Sequence, residues 1–207
     1  FLEKRKNMAF VILILIASSI HSVGIFLLLF LILYKKKPSS IFMIRLFFIL
    51  VITSTVFLLN PQLFVNIVSY YDKYRGTIYF QPSAVRGTLV IWFLQIAMYI
   101  FVIFLIRKDN NNISSKVKHR LFVSSIMVIF GVVMGIIGTK LYIVSRMVYV
   151  FNLFILLLIP DLINIAIKEK SLAKLLVMFL LFLYFVYNLN AGGSGVVPYY
   201  FFWQARH

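Results

Sequence analysis

Residues 70–87 read YYDKYRGTIYFQPSAVRG and concentrate five aromatics, two arginines, a lysine and an aspartate in eighteen positions. Arginine presents a rigid, permanently charged fork that matches phosphate oxygens. Aromatic faces accept sugar rings, because axial C–H bonds pack flat on them. Arg75 and Arg86 are therefore candidates for holding phosphate, and Tyr71, Tyr74 and Tyr79 for holding sugar. Lys140, Tyr142 and Arg146 follow in the next segment expected on the same side, and Tyr199, Tyr200, Trp203 and Arg206 lie in the tail. Such a face just outside a bilayer suits an anionic lipid that carries a glycan. The plainer alternative is a belt of interfacial aromatics with arginines touching ordinary headgroups. For Tyr199, Tyr200 and Trp203 the plainer alternative is the better one.

Arg146 directly precedes MVYVFNLFILLLIP, at the mouth of an apolar run. It either snorkels to headgroups or holds a pyrophosphate. His21 falls inside the first apolar run, where an ionisable residue is a functional candidate by default. A neutral imidazole can take a proton from a sugar hydroxyl. A lone histidine can equally just hydrogen-bond a neighbouring helix. Asp161, next to Pro160, reads as a helix-end partner at a kink, and Arg45 as a snorkelling residue.

Several chemistries lack their residues. There is no cysteine, and the three histidines, at 21, 119 and 207, lie in different regions, which argues against a zinc site. Asp72 is the lone acid in the segments expected outside, so no carboxylate pair for glycosidase chemistry stands there. No metal-clamping Asp-x-Asp and no Walker-type loop occurs, and GGSG at 192–195 reads as a flexible turn. No cofactor and no metal are expected. The net charge of +16 needs no nucleic acid to explain it, since cytoplasmic loops of membrane proteins carry an excess of Lys and Arg.

The elements that must position these groups are membrane helices. The 207 residues are 63% hydrophobic, with a mean hydropathy of +1.02. Soluble domains are about half apolar. We expect an all-α integral membrane protein, a single multi-span bundle over 1–207. Apolar runs cover 8–34, 41–59, 89–106, 121–137, 147–167 and 172–189, without the period-2 alternation of a barrel. The last five fit one crossing each at roughly 20 residues per span. The first, 27 residues long, is either a sixth, tilted span or a re-entrant hairpin broken at SSIHSVG (18–24), with His21 at its tip. A hairpin puts 14 Lys and Arg on one side and 6 on the other, whereas a single crossing gives 11 and 9. The stronger bias favours the hairpin. Both arrangements place loop 107–120 in the cytoplasm as a solvated linker, and loop 60–88 outside. The tail, 189–207, is also expected outside.

Three stretches, in this order, resemble the Wzy-type polysaccharide polymerases of the EpsG-like branch. KRKNMAFVILILIASSIHSVGIFLLLFLILYKKK (4–37) is similar to the family's basic-flanked segment with a central Ala-Ser-x-x-His-Ser. SRMVYVFNLFILLLIP (145–160) resembles its outer Arg followed by an aromatic and a helix ending in Pro, and NLNAGGSGVVPYYFFW (188–203) its C-terminal segment. The chain, which begins at Phe1, is expected to be the C-terminal part of a longer member. The resemblance implies a multi-pass enzyme of the bacterial inner membrane. It would join oligosaccharide repeat units carried on undecaprenyl pyrophosphate at the outer face, for an exopolysaccharide, capsule or O-antigen. It implies catalytic roles for Arg146 and His21, and as partners the lipid-linked glycan, membrane lipid, and a chain-length regulator or flippase. The family's Arg-x10-Gly loop spacing is missed, because Gly87 lies one residue too far from Arg75. A flippase for the same lipid-linked glycan is the alternative. It should show inverted repeats and charged midplane residues, and no repeat stands out.

Overall fold

The computed structural model describes residues 7–20, 22–60, 63, 88–108, 113–145 and 147–166, and single positions 171, 175, 178, 179, 182 and 186. All elements among them are helical. In lipid every backbone N–H and C=O must be satisfied within the segment, which a helix does by itself. The chain forms α1 (Asn7–Ile20), a 3-10 turn (Ser22–Leu27), α2 (Leu28–Tyr34), α3 (Ser40–Leu59), α4 (Thr88–Arg107) and α5 (Ser115–Gly138). Three shorter helices follow: α6 (Tyr142–Ser145), α7 (Val148–Asn152) and α8 (Ile155–Ala166). The chain divides into two compact units, Phe1–Asp161 and Leu162–His207.

In the first unit the N-terminal run folds back on itself. The Phe10 and Phe30 rings lie 5.9 Å apart, so the start of α1 stands beside α2. Nearer the turn, a Cβ on Gly24 would lie 3.2 Å from the Ser18 hydroxyl oxygen. Each arm is about 20 Å long, from about 1.5 Å per α-helical and 2.0 Å per 3-10 residue, and neither would cross a core of about 30 Å. This is the hairpin that the charge bias favoured. His21 itself lies outside the described residues.

Four segments are long and apolar enough to cross a membrane: α3, α4, α5, and the stretch Val148–Ile165 through α7 and α8. These are the runs expected at 41–59, 89–106, 121–137 and 147–167. The run at 172–189 lies mostly outside the described residues. Burial separates the four sharply. Of the most apolar window of each, 83% is buried for α5, against 17% for α3, 17% for α4 and 28% for Val148–Ile165. α5 is the axis of the bundle, and the others turn residues such as Phe48, Phe93 and Phe104 outward, as lipid contact requires. Arg45 is likewise exposed, consistent with snorkelling.

Loop 107–120 is shorter than expected. Helix α4 runs to Arg107, and Ser114 starts α5 by accepting a hydrogen bond from the Val117 N–H at 3.4 Å. The last six residues of the supposed linker are thus helix, and Arg120 and His119 among them reach distant parts of the chain. Nε and Nη2 of Arg120 donate to the two carboxylate oxygens of Asp161. His119 Nε2 bonds the Lys36 carbonyl at 3.0 Å, and its ring meets Tyr34 edge-on. Ser39 caps α3 by accepting from the Phe42 N–H. Across the bundle, the buried Tyr99 hydroxyl donates to the Met43 carbonyl at 2.8 Å, tying α4 to α3. Among the described residues no buried side-chain polar atom lacks a partner.

In the second unit, Leu162–Ala166 end α8, and the six single positions from Ser171 to Val186 are helical. Leu175, Met178, Phe179 and Phe182 among them are exposed apolar side chains.

The Arg120–Asp161 pair yields a stability prediction. Asp161→Leu takes away the carboxylate that Nε and Nη2 of Arg120 meet. Breaking a wholly buried pair costs about 3–5 kcal/mol. Arg120 is 39% exposed against 7% for Asp161, so about 2 kcal/mol is expected here. Thermal unfolding in lipid nanodiscs should show the single variant well below wild type, and Arg120→Leu/Asp161→Leu nearer to it. Equal stability of wild type and Asp161→Leu would remove the pair from the architecture.

Candidate functional site

The chain carries polar chemistry at two ends of its first unit. One, the basic end, holds Lys35–Lys37 and the start of α5. The opposite end holds Asn60, the start of α4, and the segment after Gly138.

At the opposite end the backbone leaves regular helix. From Leu141 to Leu157 successive N–H groups of Val144, Met147, Val150, Phe154, Leu156 and Leu157 donate to carbonyls three residues back. These are 3-10-type bonds, and they turn the segment into a chain of short turns. Such backbone is tolerated at membrane depth only where protein or a water-filled space surrounds it. Here Val144, Met147 and Phe151, at helix-like spacing, are wholly buried and anchor the segment. Phe151 stacks on Phe130 of α5 at 6.0 Å.

The segment sits close to α5 because α5 presents glycine to it. A Cβ on Gly138 would lie 2.8 Å from the Cα and Cβ of Ser145, closer than such atoms approach. One turn down, a Cβ on Gly135 would lie 3.0 Å from the Trp92 indole. Small residues at i, i+4 and i+7 (Gly131, Gly135, Gly138) let neighbouring backbone come near, the usual way helices associate in lipid. Below them Gln95 Nε2 donates to Asn152 Oδ1 at 3.0 Å, joining α4 to α7 inside the apolar bundle. Both groups are neutral amides. They hold geometry and offer no proton for catalysis.

Of the residues singled out in the sequence, Lys140 is described. It is exposed, in the turn after α5, where its N–H donates to the Ile137 carbonyl at 3.0 Å. Its charge lies at a helix C-terminus, which favours cations. Arg146 lies outside the described residues; the residues on either side of it in sequence are Ser145, packed on Gly138, and the buried Met147. His21, Tyr71, Tyr74, Arg75, Tyr79 and Arg86 also lie outside them.

The basic end holds what sequence reasoning passed over. A cavity of about 1060 Å³ opens between the hairpin and the first turns of α5. Its lining includes Phe10, Phe30 and Leu157 on the apolar side, and Lys35, Lys37 and Lys116 on the basic side. The sequence signal was the recurrence of two lysine clusters, KKK at 35–37 and KVKHR at 116–120, each at a helix end. Read one at a time they pass as solvated loop; brought together, they line one space.

The glycine contacts lead to a graded expectation. Gly138→Ala must push backbone away, and should cost about 1–3 kcal/mol as overpacking does. Gly24→Ala meets the Ser18 hydroxyl at 3.2 Å and the Ser18 backbone nitrogen at 3.3 Å, both looser than the 2.8 Å at Gly138, and should cost less. Unfolding midpoints of the two variants in the same detergent would reverse if the close approach at Gly138 were not real.

No curated protein and no solved structure matches the chain. The EpsG family model matches residues 1–201, nearly its whole length. The match over nearly the whole length and the multi-pass helical bundle agree, and the chain belongs to the EpsG family, whose members are glycosyltransferase-like polysaccharide polymerases.

Proposed function

We propose that this chain polymerises undecaprenyl-pyrophosphate-linked oligosaccharide repeat units at the outer face of the bacterial inner membrane. The family match over 1–201 carries the reading, because it spans His21, the aromatic loop and Arg146 together. Two structural observations support its orientation. The hairpin returns both its arms to the end bearing Lys35–Lys37, and α5 begins at that end with Lys116, Lys118 and Arg120. Concentrated positive charge marks the cytoplasmic side. The opposite end, with Lys140 and the segment around Arg146, then faces outward, where lipid-linked repeat units are joined.

In the proposed reaction a hydroxyl of the acceptor sugar attacks the anomeric carbon of the donor. The bond from that carbon to the pyrophosphate oxygen breaks, and undecaprenyl pyrophosphate leaves with the electron pair. Arg146, with Arg75 or Arg86, stabilises the charge that grows on the leaving group, where fixed donors act most strongly. Lys140 adds a second, more mobile cation at the same mouth. His21, the residue between α1 and the 3-10 turn, takes the hydroxyl proton. Tyr71, Tyr74 and Tyr79 seat the sugars. The turn-built segment after Gly138 supports the role of Arg146, because a functional group is best carried on backbone held by packing, as Val144, Met147 and Phe151 hold this one.

Removing one such charge-stabilising donor costs about 100- to 1,000-fold in rate. Arg146→Ala should therefore leave only short polymer on a gel, with lipid-linked single repeat units accumulating at the outer face. Full-length polymer at equal expression would refute the role of Arg146. Accumulation at the inner face in a null strain would instead identify a flippase.

A further inference from the structure

The cavity at the basic end is not explained by glycan polymerisation at the opposite end. Its lining is divided in two. Lys35, Lys36 and Lys37 follow Tyr34 at the end of α2, while Lys116 and Lys118 stand on the first turns of α5. One turn deeper the lining changes to Phe10, Phe30, Val123 and Leu157. Arg120 also borders the space, and among the described residues the lining contains no carboxylate.

The rim is built, not incidental. His119 Nε2 bonds the Lys36 carbonyl at 3.0 Å, pinning the lysine turn to α5. Tyr34 backs the same imidazole edge-on at 4.9 Å. The Lys36 ammonium stands 4.2 Å over the Phe42 ring, which holds that side chain on α3. Arg120 is committed to Asp161. Anion recognition therefore falls mainly to the ammonium groups of Lys35 and Lys37 at the end of α2.

We propose that this cavity holds the headgroup of an anionic phospholipid, its phosphate at Lys35 and Lys37 and its acyl chains against Phe10, Phe30 and Leu157. Three features select this ligand. The volume, about 1060 Å³, suits a headgroup with the first part of its chains. Among the described lining residues the charge is of one sign, and basic pockets between membrane helices attract anionic headgroups. The apolar half would serve nothing for a free phosphate, whereas a lipid needs it. The hairpin that walls the cavity also turns Met8, Ile12 and Leu15 outward, so the space borders the lipid phase from which such a ligand would enter. The site is separate from the polymerase reading and stands or falls without it.

The test uses the full chain in nanodiscs of phosphatidylcholine doped with phosphatidylglycerol, with retained lipid counted by native mass spectrometry. Wild type should retain phosphatidylglycerol in preference to phosphatidylcholine, and should keep it in the presence of millimolar inorganic phosphate. Each neutralised lysine should weaken the preference about fivefold, so Lys35→Gln/Lys37→Gln should lower it about 25-fold. Lys35→Arg/Lys37→Arg should restore it. Equal retention of the two lipids by wild type would overturn the proposal without recourse to any variant. So would an undiminished preference in the glutamine variant. Loss of the preference on adding phosphate would show that the lysines take a free anion and not a lipid.

Discussion

Helices in a bilayer gain little from burying apolar surface against one another, since the lipid they leave is as apolar as the partner they meet. What remains is close contact and the occasional hydrogen bond. The bundle is organised by that constraint. α5 supplies a surface of low relief, with Ser124, Ser125, Gly131, Gly135 and Gly138 all buried. Against it lie the Trp92, Phe151 and Asn152 side chains and the Ser145 backbone, at distances that a larger side chain on α5 would forbid. The neighbours can then be apolar all round and still have one defined side. That side is set by α5 and not by any amphipathic pattern of their own.

The same constraint decides what could be read in advance. The spans at α3 and α4 were legible almost to the residue, because crossing a bilayer demands a long apolar run and charge or proline ends it. The break between α7 and α8 was not legible. MVYVFNLFILLLIP is apolar but for Asn152 and the Tyr149 hydroxyl, and hydropathy is blind to whether an N–H reaches back three residues or four. Arg120 was counted as linker charge because its partner, Asp161, lies 41 positions away. Asp161 had been read as a helix-end partner; it is a partner, but inside α8, which runs through Pro160 to Ala166, and the identity of the other group was a matter of tertiary folding. The glycines of α5 had a visible spacing, but spacing alone does not say which neighbour comes close. For the reaction, residue types and a family's motifs pointed to Arg146 and His21, while the geometry around Lys140 and Ser145 describes the backbone that precedes Arg146 in sequence.

The two ends of the first unit thus differ in kind. At the opposite end, backbone irregularity is held in place by buried Val144, Met147 and Phe151 and carries exposed polar groups beyond. At the basic end, regular helix ends converge, and charged side chains are positioned by specific contacts: imidazole to carbonyl, ammonium to ring, guanidinium to carboxylate. A bundle whose middle is joined by the Gln95–Asn152 amides and the Tyr99–Met43 bond can keep both ends in register across the apolar core.

The N-terminal fold-back has a consequence for parity. A segment that enters and leaves at one end adds an even number to the count of crossings, namely none. A through-going helix of the same 27 residues would add one and carry residues 1–7 to the other side. The direction of α3, α4 and α5 is the same in both cases. What the fold-back changes is the side of Lys4, Arg5 and Lys6, and with it how sharply positive charge is sorted, 14 to 6 in place of 11 to 9. The break at 18–24 thus sets the charge contrast between the two ends and leaves the later helices as they are.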